Sequence, residues 1–144
     1  MEEYITQFIN SILPEVEVIF EDNEFWVDVK NKTINIGVNP DPIGEELIQE
    51  FVFNEFGVAM DSFLIGVLHE IGHIMTYDKE IFFEGQQMYM ILNMLNTGNG
   101  RRLSIKDRQN IYFNIPNEYR ATEWAVNYYL TFQEECDEFM DMIR

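Results

Sequence analysis

The spacing of apolar and polar positions changes once along this chain. Tyr4, Ile5, Phe8, Ile9 and Ile12 recur at helical spacing, so residues 2–13 are expected to form a helix that Pro14 ends. The period then drops to two. Val16, Val18 and Phe20 alternate with charged or mixed neighbours, and Phe25 to Val29 is aromatic and β-branched. Thr33 to Val38 sets Ile34, Ile36 and Val38 on one face and Thr33, Asn35 and Gly37 on the other. Asp22-Asn23 and Asn31-Lys32 supply turn residues, so the three segments are expected to pair as an antiparallel meander. Asn39-Pro40-Asp41-Pro42 breaks the sheet, and helical spacing returns over residues 44–56, 61–77, 79–95, 117–131 and 133–142. Thr97 to Gly100 reads as a loop, Ser104 as the cap of a short helix, and Pro116 as a first-turn residue of the next one. Strands followed by helices predict an α+β domain with a small three-stranded antiparallel sheet.

Length and composition narrow the picture. The chain has 144 residues, which fits a single domain spanning 1–144 with a core of its own. A hydrophobic fraction of 47% and an aromatic fraction of 15% are globular values. The formal net charge is -17, which argues against nucleic acid and anionic membranes as partners. The same charge favours basic segments in any protein or peptide partner, although most of it serves solubility. Cys136 is the only cysteine, so no internal disulfide is expected. The acidic start Met1-Glu2-Glu3-Tyr4 does not suit a signal peptide, and no apolar run approaches the roughly 20 residues of a membrane span. A cytoplasmic location is expected.

Candidate chemistry sits in one expected helix. His69 and His73 are the only histidines, four apart with Glu70 between them, in the pattern H-E-x-x-H. Residues i and i+4 lie one above the other on a helix, so two imidazoles can converge on one zinc ion. Glu70, a step round the helix, can reach a water on that ion rather than the ion itself. On a helical wheel Leu64, Val67, Leu68, Ile71, Ile74 and Met75 form an apolar arc, with the histidines nearly opposite among the small residues Ser62, Gly66 and Thr76. A catalytic zinc usually keeps three protein ligands and one open position, so a carboxylate is needed. Asp78, Glu80 and Glu84 follow the motif, but Asp78 falls one residue short of the extended H-E-x-x-H-x-x-G-x-x-H/D spacing, and Thr76 stands where that pattern has glycine.

Downstream, Glu118-x-x-Ala121-x-x-Trp124-Ala125 follows the H-E-x-x-H segment. Together the two segments resemble the ImmA/IrrE family of zinc-dependent peptidases, of the gluzincin type, over about residues 30–130. The resemblance implies a zincin-like fold and Glu118 as third ligand, with Glu123 as the alternative. It implies small residues at 121 and 125 so that the later helix can approach the first. Two features depart from the pattern: residues 79–115 lengthen the gap between His73 and Glu118, and Thr122 stands where gluzincins carry an aspartate that orients a zinc histidine.

The expected activity is peptide hydrolysis by metal-activated water, with Zn2+ on His69, His73 and Glu118, and Glu70 as general base. Tyr112, Tyr119 and Arg120 are candidates for a second donor to the oxyanion. By the same resemblance an extended substrate pairs with an edge strand, taken to be Thr33–Val38, with Asn35 and Gly37 toward the cleft. Phe82, Phe83, Met88, Tyr89, Met90 and Met94 read as core, or as a partner surface, at helical spacing, and Trp26 and Trp124 as core. Two other functions fit the composition: a zinc-stabilised regulator without catalysis, and an acidic protein-binding module without metal.

Overall fold

The first apolar stripe forms helix α1, Glu2–Ile12, with Ile5 and Ile9 buried. The computed structural model describes residues 1–37, 39–97 and 103–144. Three short strands follow α1: β1 (Glu17–Ile19), β2 (Trp26–Asp28) and β3 (Thr33–Asn35). The sheet is mixed, not an antiparallel meander. Its order is β1-β3-β2, with β3 parallel to β1 and antiparallel to β2.

The two turns explain the difference. Between β2 and β3 a hairpin forms as expected: Asp28 accepts the N–H of Asn31, and Lys32 takes a left-handed φ of 50°. Between β1 and β2, however, residues 20–25 carry the chain to the far side of β3. The buried Asn35 side chain holds that crossing. Its Oδ1 accepts the N–H groups of Glu21 and Asp22 at 2.9 and 3.2 Å, and its Nδ2 donates to the carbonyls of Asp22 and Glu24 at 3.2 and 2.7 Å. One amide thus satisfies backbone groups that would otherwise need strand or turn partners. Gly37 lets the loop pass close by, since a Cβ there would stand 2.5 Å from the Asn23 carbonyl oxygen. Thr33–Asn35 is therefore the central strand and not an edge, and Asn35 and Gly37 serve the loop rather than a cleft. The edges are β1 and β2. Val38 lies outside the described residues.

The helices lie close to their expected positions: α2 (Pro42–Phe56), α3 (Ser62–Met75), α4 (Lys79–Thr97), α5 (Ile105–Phe113), α6 (Pro116–Thr131) and α7 (Gln133–Ile143). Local chemistry marks their ends. Asp41, Asp61 and Ser104 cap α2, α3 and α5 with side-chain oxygens, and Gly57 ends α2 at a φ of 71°. The expected loop beyond Thr97 falls on residues 98–100, outside the described part.

Helix α3 runs through the core. Leu64, Val67, Leu68 and Ile71 are buried as the wheel predicts, but so is Ile65, while Met75 is exposed. The helix is therefore covered nearly all round rather than along one arc. Helix α6 closes the remaining side. Gly72 of α3 meets α6 so closely that a Cβ would stand 2.5 Å from the Ala121 carbonyl oxygen, and Ala121 and Ala125 are fully buried. Small side chains on both helices permit this approach.

Helix α4 corrects the expectation of core. Phe83, Met90 and Met94 are 65%, 65% and 69% exposed, Phe82 is also exposed, and Met88 and Tyr89 are only half-buried. The helix touches the rest of the protein along a narrow face, against α5 and α6, where Leu92 is buried and Gly85 makes room for Asn117. Trp124 and Trp26 are half-buried: Trp124 packs against the core, and Trp26 donates its Nε1–H to Asp22. Among the described residues no helix is long and apolar enough to cross a membrane.

Candidate metal centre

One turn of α3 separates His69 from His73, and their rings stand 4.6 Å apart at 89°. Pro116 starts α6, which places Glu118 in its first turn, facing both rings. His69 Nε2 lies 3.2 Å and His73 Nε2 2.9 Å from Glu118 Oε2. Four tetrahedral ligands on zinc at about 2.0–2.1 Å would stand roughly 3.3–3.4 Å from one another. The two histidine–carboxylate distances are thus slightly shorter than one ion would hold them, so the ligands would move a little apart to take it. The donor set itself, two imidazoles and a carboxylate, is one that zinc accepts. Among the described residues, His69, His73 and Glu118 are the group whose ligand atoms converge in this way, all within 4.8 Å of one another.

The other acidic candidates are elsewhere. Glu123 is exposed on α6, and Glu80 and Glu84 are exposed on α4. Asp78 caps α4, accepting the N–H groups of Glu80 and Ile81, each at 3.0 Å.

Two of the three converging side chains, Glu118 and His69, are held by further neighbours. Thr122, fully buried, donates its hydroxyl proton to the Glu118 carbonyl oxygen at 3.1 Å. A hydroxyl has one proton, so toward His69 Nδ1, at 2.9 Å, it acts as acceptor. With Nδ1–H committed to that hydroxyl, Nε2 is the ring nitrogen turned to Glu118; it donates to the carboxylate here, and a neutral His69 would offer a metal its lone pair at the same atom. The threonine at the departure from the gluzincin pattern therefore fills the orienting position with a neutral acceptor. Tyr112 on α5 donates to Glu118 Oε1 at 2.9 Å, which leaves Oε2 for the histidine side.

A cleft of about 800 Å³ opens onto this group and is lined by Glu70, His73 and Glu118, by residues 25–30 around β2, and by the start of α4. Of the small residues expected to floor it, Thr76 does so. Gly66 instead lies beneath the Phe25 ring, and Ser62 donates to Glu45 on α2.

Charges in the group are strongly biased. Burial raises the Glu70 carboxyl above the ordinary value, against the pull of His69 and His73. Burial acts to raise Glu118 too, but the hydrogen bonds and charges of both histidines outweigh it and hold that carboxyl far below the usual range. Burial lowers His69, and Glu118 and then Glu70 more than reverse it, so the net direction is up. Tyr112 and Tyr89 are both raised, first by burial and next by the Glu118 charge, so both remain protonated hydrogen-bond donors.

Of the three expected oxyanion donors, none is free in the cleft. Tyr112 is engaged with Glu118, Tyr119 donates to Glu55 at 2.9 Å on the outside, and Arg120 does not line the cleft. Tyr89, assigned to core from its spacing, does line it, with its ring 5.7 Å from that of Tyr112. The signal for Tyr89 was present in the helical register it shares with Gly85 and Leu92, which marks the inner face of α4.

No family model, curated protein or solved structure matches this chain.

Proposed function

We propose that this chain is a zinc-dependent metallopeptidase in which His69, His73 and Glu118 hold the metal and Glu70 is the general base. The observation that carries this reading is the convergence of those three donor atoms beside a cleft that His73, Glu118 and Glu70 line. Bound zinc would supply a Lewis acid for the peptide carbonyl and lower the pKa of a water toward about 7. The chain's own groups do the rest. Glu70 accepts the proton of the attacking water and returns it to the leaving amine, which is general acid–base work by one carboxyl. Tyr112 and Thr122 fix the orientation of Glu118 and His69. Tyr89, on the cleft wall, shares the role of Tyr112, since its hydroxyl also bonds to Glu118 and to Asn117. An extended substrate would pair with the free edge of β2, which lines the cleft, rather than with β3. A net charge of -17 disfavours acidic substrates. A cytoplasmic setting, with the single cysteine reduced, accords with this reading.

The test pairs metal analysis with one substitution. Protein prepared without added metal should carry about one zinc per chain. Glu70→Gln keeps the side-chain shape but cannot cycle a proton, so it should retain zinc while hydrolysis of a screened peptide falls by about 10²–10⁴-fold. Cleavage at the parent rate by Glu70→Gln would remove Glu70 as the base. Zinc without any cleavage by the parent would leave a zinc-stabilised regulator.

A further inference from the structure

One part of the cleft has no role in holding a metal or moving a proton. The lining includes Tyr77, which follows α3, Ile81 and Phe82 at the start of α4, and Phe25 next to β2. Tyr77 and Phe82 touch, with ring centroids 5.8 Å apart, yet they are 50% and 39% exposed. Apolar surface left open inside a cleft is unfavourable until a ligand covers it. Phe25 cannot turn away, because its ring is seated over Gly66 and edge-on to Phe63 at 5.7 Å.

The ionisable groups on the same lining point in the same direction. Apart from Glu70, His73 and Glu118, the described lining holds Asp28, Lys30 and Asp78. Asp78 is occupied as the cap of α4. Asp28 is occupied by the turn after β2, accepting from the backbone and side chain of Asn31 at 3.1 and 2.7 Å. Most of these carboxylate oxygens are thus engaged within the protein, Asp78 Oδ2 excepted, so the lining offers little charge to a basic side chain. The overall acidity of the protein thus governs approach, while the cleft itself offers aromatic and aliphatic surface.

We propose that the substrate side chain seated beside the His69–His73–Glu118 group is large and apolar, so that the protein acts on extended apolar segments of protein chains rather than on polar or charged linkers. This rests on the metallopeptidase reading for the position of the scissile bond. Such segments are normally buried, so the natural substrate presents one when it is unfolded, partly folded or remodelled.

The probe is a pair of fluorescein-labelled decapeptides of equal charge, one with Leu-Phe at its centre and one with Ser-Ser. Binding is read by fluorescence anisotropy on the zinc-loaded Glu70→Gln protein, which holds the peptide uncut. The Leu-Phe peptide should bind at least about tenfold more tightly, the effect of burying one large apolar side chain. Tyr77→Ser and Phe82→Ser, both at exposed positions, should each erase most of that preference without changing zinc content. Equal affinity for the two peptides, no binding of either, or an undiminished preference in both variants would overturn the proposal. Zinc content, measured on the same samples, reports on the metal reading separately: a parent without zinc that still prefers Leu-Phe would overturn that reading and leave the apolar cleft standing.

Discussion

Helices α3 and α4 look alike as patterns, both rich in large apolar residues at helical spacing, yet they meet opposite fates. Leu64, Ile65, Val67, Leu68 and Ile71 of α3 are buried, while Phe83, Met90, Ile91, Met94 and Leu95 of α4 are exposed. The difference lies in what each helix can bring close. α3 carries Gly72 against the backbone of α6 at Ala121, so two helices lock over a long contact. α4 has a comparable point of approach at Gly85, against the Asn117 side chain, and beyond it only a narrow inner face. A site needing three donors within hydrogen-bond distance belongs on the first kind of pair, because close-packed backbones fix side-chain positions. A surface that must admit a substrate belongs on the second.

Removing a ligand breaks the comparison most severely. His69→Ala, His73→Ala and Glu118→Ala should each lose nearly all bound zinc, while Glu123→Ala, at an exposed position on the same helix, keeps it. Metal analysis after gel filtration is the check, and an equal zinc content in all four would dismiss the site. Next comes the contact that sets the helices together. Gly72→Ala places a methyl 2.5 Å from the Ala121 carbonyl oxygen, so α6 must move. Overpacking of this kind costs about 1–3 kcal/mol, so the Tm should fall by several degrees and zinc affinity with it. An unchanged Tm would mean that the two helices separate freely.

Thr122→Val is subtler, since it keeps the shape and deletes the acceptor for His69 Nδ1–H. Zinc affinity should fall by about 10–100-fold, as for other groups that orient a metal ligand, and Thr122→Ser should restore it. A competition titration against a chelator measures both; Thr122→Val binding as tightly as the parent would show that His69 needs no orienter. The smallest effect belongs to α4. Met90→Gln with Met94→Gln should change stability by no more than about 0.5 kcal/mol each, as exposed substitutions do. A large loss in chemical denaturation would show that this face is covered in solution and that α4 is more like α3 than its exposure indicates.

Much of this architecture was legible in the residues alone. Proline, glycine and the capping side chains of Asp41, Asp61 and Ser104 act within a few residues of themselves, so helix positions follow from local chemistry. His69 and His73 are likewise four apart on one helix, and their alignment needs nothing beyond helical geometry. Glu118 was reachable only through its resemblance to a known pattern, because no local rule links residues 45 positions apart. The strand order was not legible either. The pattern at Thr33–Val38 specifies which side chains face the core, but not which neighbours a strand receives, and the choice was made by the buried Asn35 amide holding a loop distant in sequence. Local spacing determined the helices, the histidine pair and the inward side of Ile34 and Ile36. The tertiary structure decided the edge at β2, the partner of His69 in Thr122, and the exposure of α4, since each depends on which surfaces meet and how closely their backbones approach.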